Sequence, residues 1–205
     1  MRILVACEYS GTVREAFKAK GHYAMSCDLL PTEIPGEHYQ GDVFDIIGDG
    51  WDMMIAFPPC TYLSFVGLRH WNKPGRKENR DAAADFFMRL WNADIPKIAI
   101  ENPLGHMSRV FRKPDQVIHP YYFGDPVKKR TCIWLKNIPK LTWSASDTLF
   151  QVKTSTDKPK PLYFLSTTGK PVNWVEGIKG CGKDRSKERA RFWPSIAQAM
   201  ADQWG

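Results

Sequence analysis

Apolar and polar positions alternate along this chain in short blocks of two kinds. "RILVAC" (2–7), "YAMSCDLLP" (23–31), "WDMMIAFPPC" (51–60) and "PKIAIENP" (96–103) are apolar runs of strand length, each closed by polar or turn-forming residues. Helical spacing lies between them. "SGTVREAFKAKGH" reads as a turn and then a helix ending near Gly21, and "GDVFDII" as a loop with a short helix. In "KENRDAAADFFMRLWNAD" the residues Ala83, Phe87, Leu90 and Trp91 recur on one helical stripe, with Arg80, Asp81 and Asp85 elsewhere on the wheel. "RTCIWLKNIPKLTW" predicts a strand and turn. "RFWPSIAQAMADQW" predicts a C-terminal helix started by Pro194 that packs Ile196, Ala197, Met200 and Trp204. Strands alternating with helices predict an α/β fold, Rossmann-like, with a mostly parallel sheet covered by helices on both faces.

The alternation breaks down over residues 144–188, which are rich in Lys, Pro, Ser, Thr and Gly. We read them as an irregular basic insertion into a body formed by residues 1–143 and 189–205. With 205 residues, 43% of them hydrophobic, the chain suffices for one core of ordinary size. The net charge of +7 is concentrated: residues 140–191 carry 11 Lys/Arg against 5 Asp/Glu, whereas the remainder is nearly neutral. A basic segment on a neutral body reads either as a site for a phosphate-bearing partner or as a solvated loop. No apolar run reaches membrane-spanning length and no cleavage-site pattern follows the N-terminus, so a cytoplasmic protein is the expectation. Five cysteines without a CxxC pair, and histidines without zinc-ligand spacing, suggest neither a disulfide framework nor a metal site, and leave any one thiol free to work.

The ends of the predicted strands hold the candidate chemistry. In a parallel α/β sheet, ligands sit beyond the carboxyl ends of the strands. "CEYSG", Asp28, "PPC" and "ENP" all fall there. The two prolines cannot donate to a sheet, so they end the strand and hold Cys60 outward on a stiff elbow, as a nucleophile requires. Glu101 closes another apolar strand, a costly place for an unpaired carboxylate, and reads as a proton donor with a raised pKa or as a structural cap. "ACEYSG" lies between strand and helix, where backbone N–H groups would face a ligand. Asp28, one strand on, stands where an acid accepts from ribose hydroxyls. Asp42 either reads an adenine amino group or caps the short helix, and capping is the first reading.

Together these residues resemble the cytosine-C5 methyltransferase family. "PPCTYLSFVG" is similar to the family's Pro-Pro-Cys nucleophile motif, with Ser64 and Gly67 holding its Ser and Gly places. "IENP" resembles the Glu-Asn-Val motif, and "ACEYSGTVREAF" a shortened first cofactor motif. "KKRTCIWL" is similar to a segment whose Arg, here Arg130, contacts the target base. "SIAQAMADQW" sits where the closing cofactor-side helix belongs, and residues 144–188 stand in place of a target recognition domain. The variant with "CEYSG", "ENP" and "AMADQW" looks most like small methylase-like proteins of bacteriophages and prophages. The chain departs from the pattern in keeping only Gly11 of several glycines and in having Thr61 where Gln is usual.

The resemblance implies S-adenosyl-L-methionine as cofactor, with Glu8, Tyr9, Ser10, Gly11, Asp28, Asp42, Phe57 and Pro58 around it. It implies catalysis by Cys60, Glu101 and Arg130, and substrate contacts from Pro59, Ser64, Asn102, Lys183 and Arg185. The expected partner is duplex or single-stranded DNA, its phosphates held by the basic segment (Lys153, Lys158, Lys160, Lys179 and Lys187 among it) with Trp174 or Phe164 stacking on a base. Two other readings stay open: C5 methylation of free dCMP, which the short insertion suits, and a non-catalytic DNA-binding or anti-restriction protein.

Overall fold

The computed structural model describes residues 1–65, 73–149, 151–160, 163–164, 168–172 and 191–205. The predicted strands pair as β1 (Arg2–Ala6), β2 (Tyr23–Asp28), β4 (Met53–Ala56), β5 (Lys97–Asn102) and β7 (Thr131–Lys136). Two further strands, β3 (His38–Gln40) and β6 (Gln116–Ile118), complete a seven-stranded sheet of order β3-β2-β1-β4-β5-β7-β6. The sequence reading missed both, because three residues are too few to display a strand period and neighbouring backbone alone recruits them. β3 through β5 pair in parallel, and β7 runs antiparallel to both β5 and β6. This is a Rossmann-like, mostly parallel sheet, with one reversed strand near an edge. A two-stranded pair, β8 (Tyr163–Phe164) and β9 (Pro171–Val172), lies within residues 144–188.

Strand side chains alternate between faces, and β1 shows the result. Ile3 and Val5 join a core with Val13 and Phe17 of α1 (Thr12–Ala19) and with Ile196, Ala197 and Met200 of α4 (Pro194–Trp204). Leu4 and Ala6 join the opposite core, with Phe87 and Leu90 of α2 (Arg76–Trp91) and with Trp134. Burial on both faces explains why the strands read as unbroken apolar runs. Within α2 the predicted stripe is narrower than its spacing suggested: Phe87 and Leu90 are buried, while Ala83 and Trp91 are half-buried. A single helical turn, α3 (Met107–Val110), follows β5 on the α2 side. No helix among the described residues is long and apolar enough to cross a membrane.

The parallel register has a functional consequence. Ala6, Cys27, Ala56 and Ile100 lie level across β2, β1, β4 and β5, so every one of these strands ends at the same edge. The four polar clusters therefore meet there.

Candidate active site

The turn after β1 is built around a buried carboxylate. Glu8 is 4% exposed, and its carboxylate accepts from the backbone N–H of Val13 (2.7 Å) and of Arg14 (3.3 Å) and from Ser10 Oγ (3.1 Å). Ser10 Oγ in turn accepts from the Thr12 N–H at 3.3 Å. A helix start leaves orphan N–H groups, and here the chain supplies its own anion for them. The N–H groups of Thr12, Val13 and Arg14, which open the helix after "ACEYSG", are thereby taken up within the turn. Glu8 and Ser10 shape the turn from within, with Tyr9 buried between them. Burial pushes the Glu8 carboxyl above its usual range, and its three hydrogen bonds and Arg14 work against that.

Gly11 survives in this turn for a steric reason. Its φ of 77° is in the left-handed region, and a Cβ there would stand 2.7 Å from Arg14 Nη2. Arg14 itself is fully buried, a charge the helical pattern does not single out. Its guanidinium donates to Ser26 Oγ (2.8 Å), Thr32 Oγ1 (3.2 Å), Ile34 O (2.5 Å) and Glu15 Oε1 (2.8 Å), tying α1 to β2 and to the 29–37 loop.

Beside this turn a cavity of about 230 Å³ opens between the ends of β1 and β2, the turn after β3, and α2. Cys7, Cys27, Asp28, Asp42, Pro59 and Phe86 are among its walls. It is predominantly apolar, with two carboxylates at one side, the composition of a small-molecule site. Asp28 is half-buried and accepts from the Leu30 N–H at 2.9 Å; burial raises its pKa, against two backbone amides and His38. Asp42 accepts from the Phe44 N–H at 3.0 Å and so caps the one-turn helix at Val43–Asp45, while also reaching the cavity. Of the residues expected around a cofactor, Asp28 and Asp42 line this cavity. Glu8, Tyr9, Ser10, Gly11, Phe57 and Pro58 are not among its walls, and Phe57 packs on Phe192 (ring centroids 4.6 Å apart).

The proline elbow and the end of β5 are clamped together. Asn102 Nδ2 donates to the Pro58 carbonyl at 3.0 Å, and the His106 N–H donates to Leu63 O at 2.7 Å. Ser64 and Gly105 form an isolated antiparallel bridge. The turn itself is closed by the Leu63 and Ser64 N–H groups donating to Cys60 O. This approach leaves no room at Gly105, where a Cβ would lie 2.0 Å from the Leu63 carbonyl oxygen. Because that neighbour is backbone, Gly105→Ala is expected to cost about 1–3 kcal/mol in urea unfolding by overpacking and to displace the Cys60 turn.

The geometry separates the cysteines that the composition could not. Cys60 is exposed at the tip of the elbow, with Pro59 exposed before it. Cys7, Cys27 and Cys132 are pushed up by burial and by nearby carboxylates, Cys27 to about 12 and Cys132 to about 11. They are held as thiols, poor nucleophiles. Cys181 lies outside the described residues.

Glu101 stands one residue before the clamp, opposite Ile133 of β7. Burial raises its carboxyl above the usual range, and Lys129 acts the other way. An acid whose pKa rises on folding stabilises the fold while protonated. That stability is complete below the unfolded-chain value and is lost as pH rises through the folded one. Glu101→Gln is therefore expected to raise the melting temperature relative to wild type at pH 8 and not at pH 4. Thermal unfolding at the two pH values checks it. Asn102 Oδ1 and Thr131 Oγ1, buried on either side of this strand end, have no hydrogen-bond partner among the described residues. Arg130 is exposed immediately before β7, and the pairing of Cys132 with Asn102 brings it to the same edge. Lys183 and Arg185, with Gly67, Trp174, Lys179 and Lys187, lie outside the described residues, as does the side chain of Phe164. Among the described residues no group of three or more His, Cys, Asp or Glu could hold a metal ion.

No family model and no curated protein matches the chain. Among solved structures it is similar to the methyltransferase EhMeth of Entamoeba histolytica, at 13% identity and a TM-score of 0.47, over 76% of this chain and 57% of that one. It is also similar to a mutant of DNMT2 from Spodoptera frugiperda, at 14% identity and a TM-score of 0.43, over 90% of this chain and 61% of that one. The chain thus spans less than two thirds of the length of either.

Proposed function

We propose that this protein methylates cytosine at C5 through a transient covalent bond from Cys60. The observation that carries the reading is the clamp. It joins the only exposed thiol among the described cysteines to a strand end whose carboxyl burial keeps protonated more readily than usual.

C5 of cytosine is a poor nucleophile, and thiolate attack at C6 converts the ring to an enamine with its electron density on C5. Cys60 supplies that thiolate from a turn held by two prolines and the Asn102 contact, so little reorganisation is needed on substrate binding. Glu101 donates a hydrogen bond or proton at N3, where the charge from the attack collects, and its raised pKa suits a donor. Arg130 holds the base's O2. Once C5 carries the methyl group, water takes the C5 proton, the C–H electrons restore the C5=C6 double bond, and Cys60 leaves as the thiolate.

S-adenosyl-L-methionine supplies the methyl group as a sulfonium. The cavity beside the elbow fits the nucleoside part of such a cofactor, with Asp28 as acceptor for ribose hydroxyls and Phe86 and Val43 as apolar walls. A base in duplex DNA must be extruded to reach Cys60, because C6 is inaccessible in the stack. Free dCMP is a second reading, favoured by an insertion that holds two short paired strands.

Tritium-labelled S-adenosyl-L-methionine offered with duplex DNA, single strands and dCMP tests this directly. Label at cytosine C5 in one of them supports the reading and names the substrate; none in any of them sinks it.

A further inference from the structure

The basic insertion returns to the candidate site in a way its composition does not reveal. Its 151–160 segment is tied to the body through the Thr156 N–H, which donates to Tyr121 O at 2.9 Å, while within the insertion the Thr154 N–H donates to Ser144 O at 3.0 Å. This lays the segment along the aromatic turn between β6 and β7. In that turn the rings of His119 and Tyr121 stack with centroids 5.5 Å apart and planes 27° apart. Tyr122 stacks on Trp143 at 4.4 Å and 11°, and Trp143 is 38% exposed. The turn closes through Tyr121 N–H to Val127 O at 3.2 Å and leads into Lys128, Lys129 and Arg130.

The cations surround the aromatics. Burial first lowers the His119 pKa, and Lys128, Arg130 and Lys158 each lower it further, against a backbone contact at Lys129 that raises it. Lys129 also acts on Glu101 at the end of β5, and it stands between Lys128 and Arg130 in the sequence. The acids nearby are Asp125, which accepts from the Ser195 N–H at the start of α4, and Asp157, adjacent to Lys158 in sequence.

We propose that the His119–Tyr122 turn, with Lys128 and Lys158, is a track that holds a single nucleic acid strand leading to the Cys60 edge. Resting on the reading above, it makes the substrate a polynucleotide and not a free nucleotide. Cations alone would serve an acidic peptide or a membrane equally well. Stacked aromatic rings among them suit a ligand with a phosphate and a flat π face at every step. A duplex keeps those faces turned inward.

The test measures fluorescence anisotropy of labelled oligo(dT)12, which contains no cytosine, so binding is read apart from methylation. Wild type is expected to bind it more tightly than a dT12·dA12 duplex or a poly-glutamate of equal charge. Tyr121→Ala is expected to weaken binding about tenfold with the salt dependence unchanged. Lys128→Glu with Lys158→Glu, both exposed changes with little risk to folding, is expected to weaken it about tenfold and flatten the slope of log Kd against log salt by at least one. Wild-type affinity in the charge variant, or equal affinity of wild type for duplex or polyanion, overturns the track. Label transfer with an unaltered charge variant would leave the methylation reading standing and the track wrong. Binding that depends on the track without any label transfer would do the reverse.

Discussion

Replacing Cys60 by alanine is expected to lower the proposed methyl transfer by at least about 10⁴-fold while the fold survives. Without the sulfur no C6 adduct forms, and no other thiol among the described residues can replace it. Cys7, Cys27 and Cys132 are buried or half-buried and held protonated. The structural cost should be small, within about 0.5 kcal/mol, because Cys60 is exposed and contributes to neither core. The turn's hydrogen bonds run through the Cys60 carbonyl and the Asn102 amide, which alanine leaves in place. Transfer of tritium to the best wild-type substrate, read with unfolding curves on the same samples, checks both halves. Retention of a tenth of wild-type transfer by Cys60→Ala would remove the covalent mechanism, whatever the substrate.

Arg14→Leu has the largest expected effect on stability. Substitution deletes hydrogen bonds to Ser26, Thr32, Ile34 and Glu15 at once and leaves the buried Glu8 carboxyl without its neighbouring cation. Removing one partner from a buried charged network costs about 3–5 kcal/mol. For a chain of this size that corresponds to a fall of roughly 6–20 °C in Tm. Lysine should recover only part of the loss, since a single ammonium cannot reach three directions as a planar guanidinium does. The change also reaches the cavity. The 29–37 loop anchored by Arg14 leaves directly from Asp28, so binding of S-adenosyl-L-methionine, measured by calorimetry at a temperature where the variant is folded, should weaken as well. A Tm within about 2 °C of wild type would show that the loop is held by something other than this network.

Much of this was legible in the residues themselves, because it depends on short-range chemistry. Strands buried on both faces must be apolar throughout, and helices on a sheet need a stripe, so β1, β2, β4, β5, β7 and the long helices are written locally. So is the elbow: two prolines after an apolar run end a strand wherever it pairs. Glu101 at the end of such a run is likewise visible, since an acid in that position needs a reason.

What only the tertiary structure decided depends on partners distant in the chain. β3 and β6 are strands because β2 and β7 lie beside them, and the reversed direction of β7 is a property of the sheet. Arg14 looks like any exposed helical arginine until β2 and the 29–37 loop close over it. The resemblance implies Glu8 at a cofactor, and folding alone shows that its carboxylate accepts from the amides five and six residues on, where a helix begins. The cysteines are equivalent in a sequence, and among the four described it is burial that separates one accessible thiol from three protected ones. The amino-acid sequence by itself determined that reactive groups gather at strand ends. Which of them face the same space was settled by folding, because register and burial are relations between segments and belong to none of them alone.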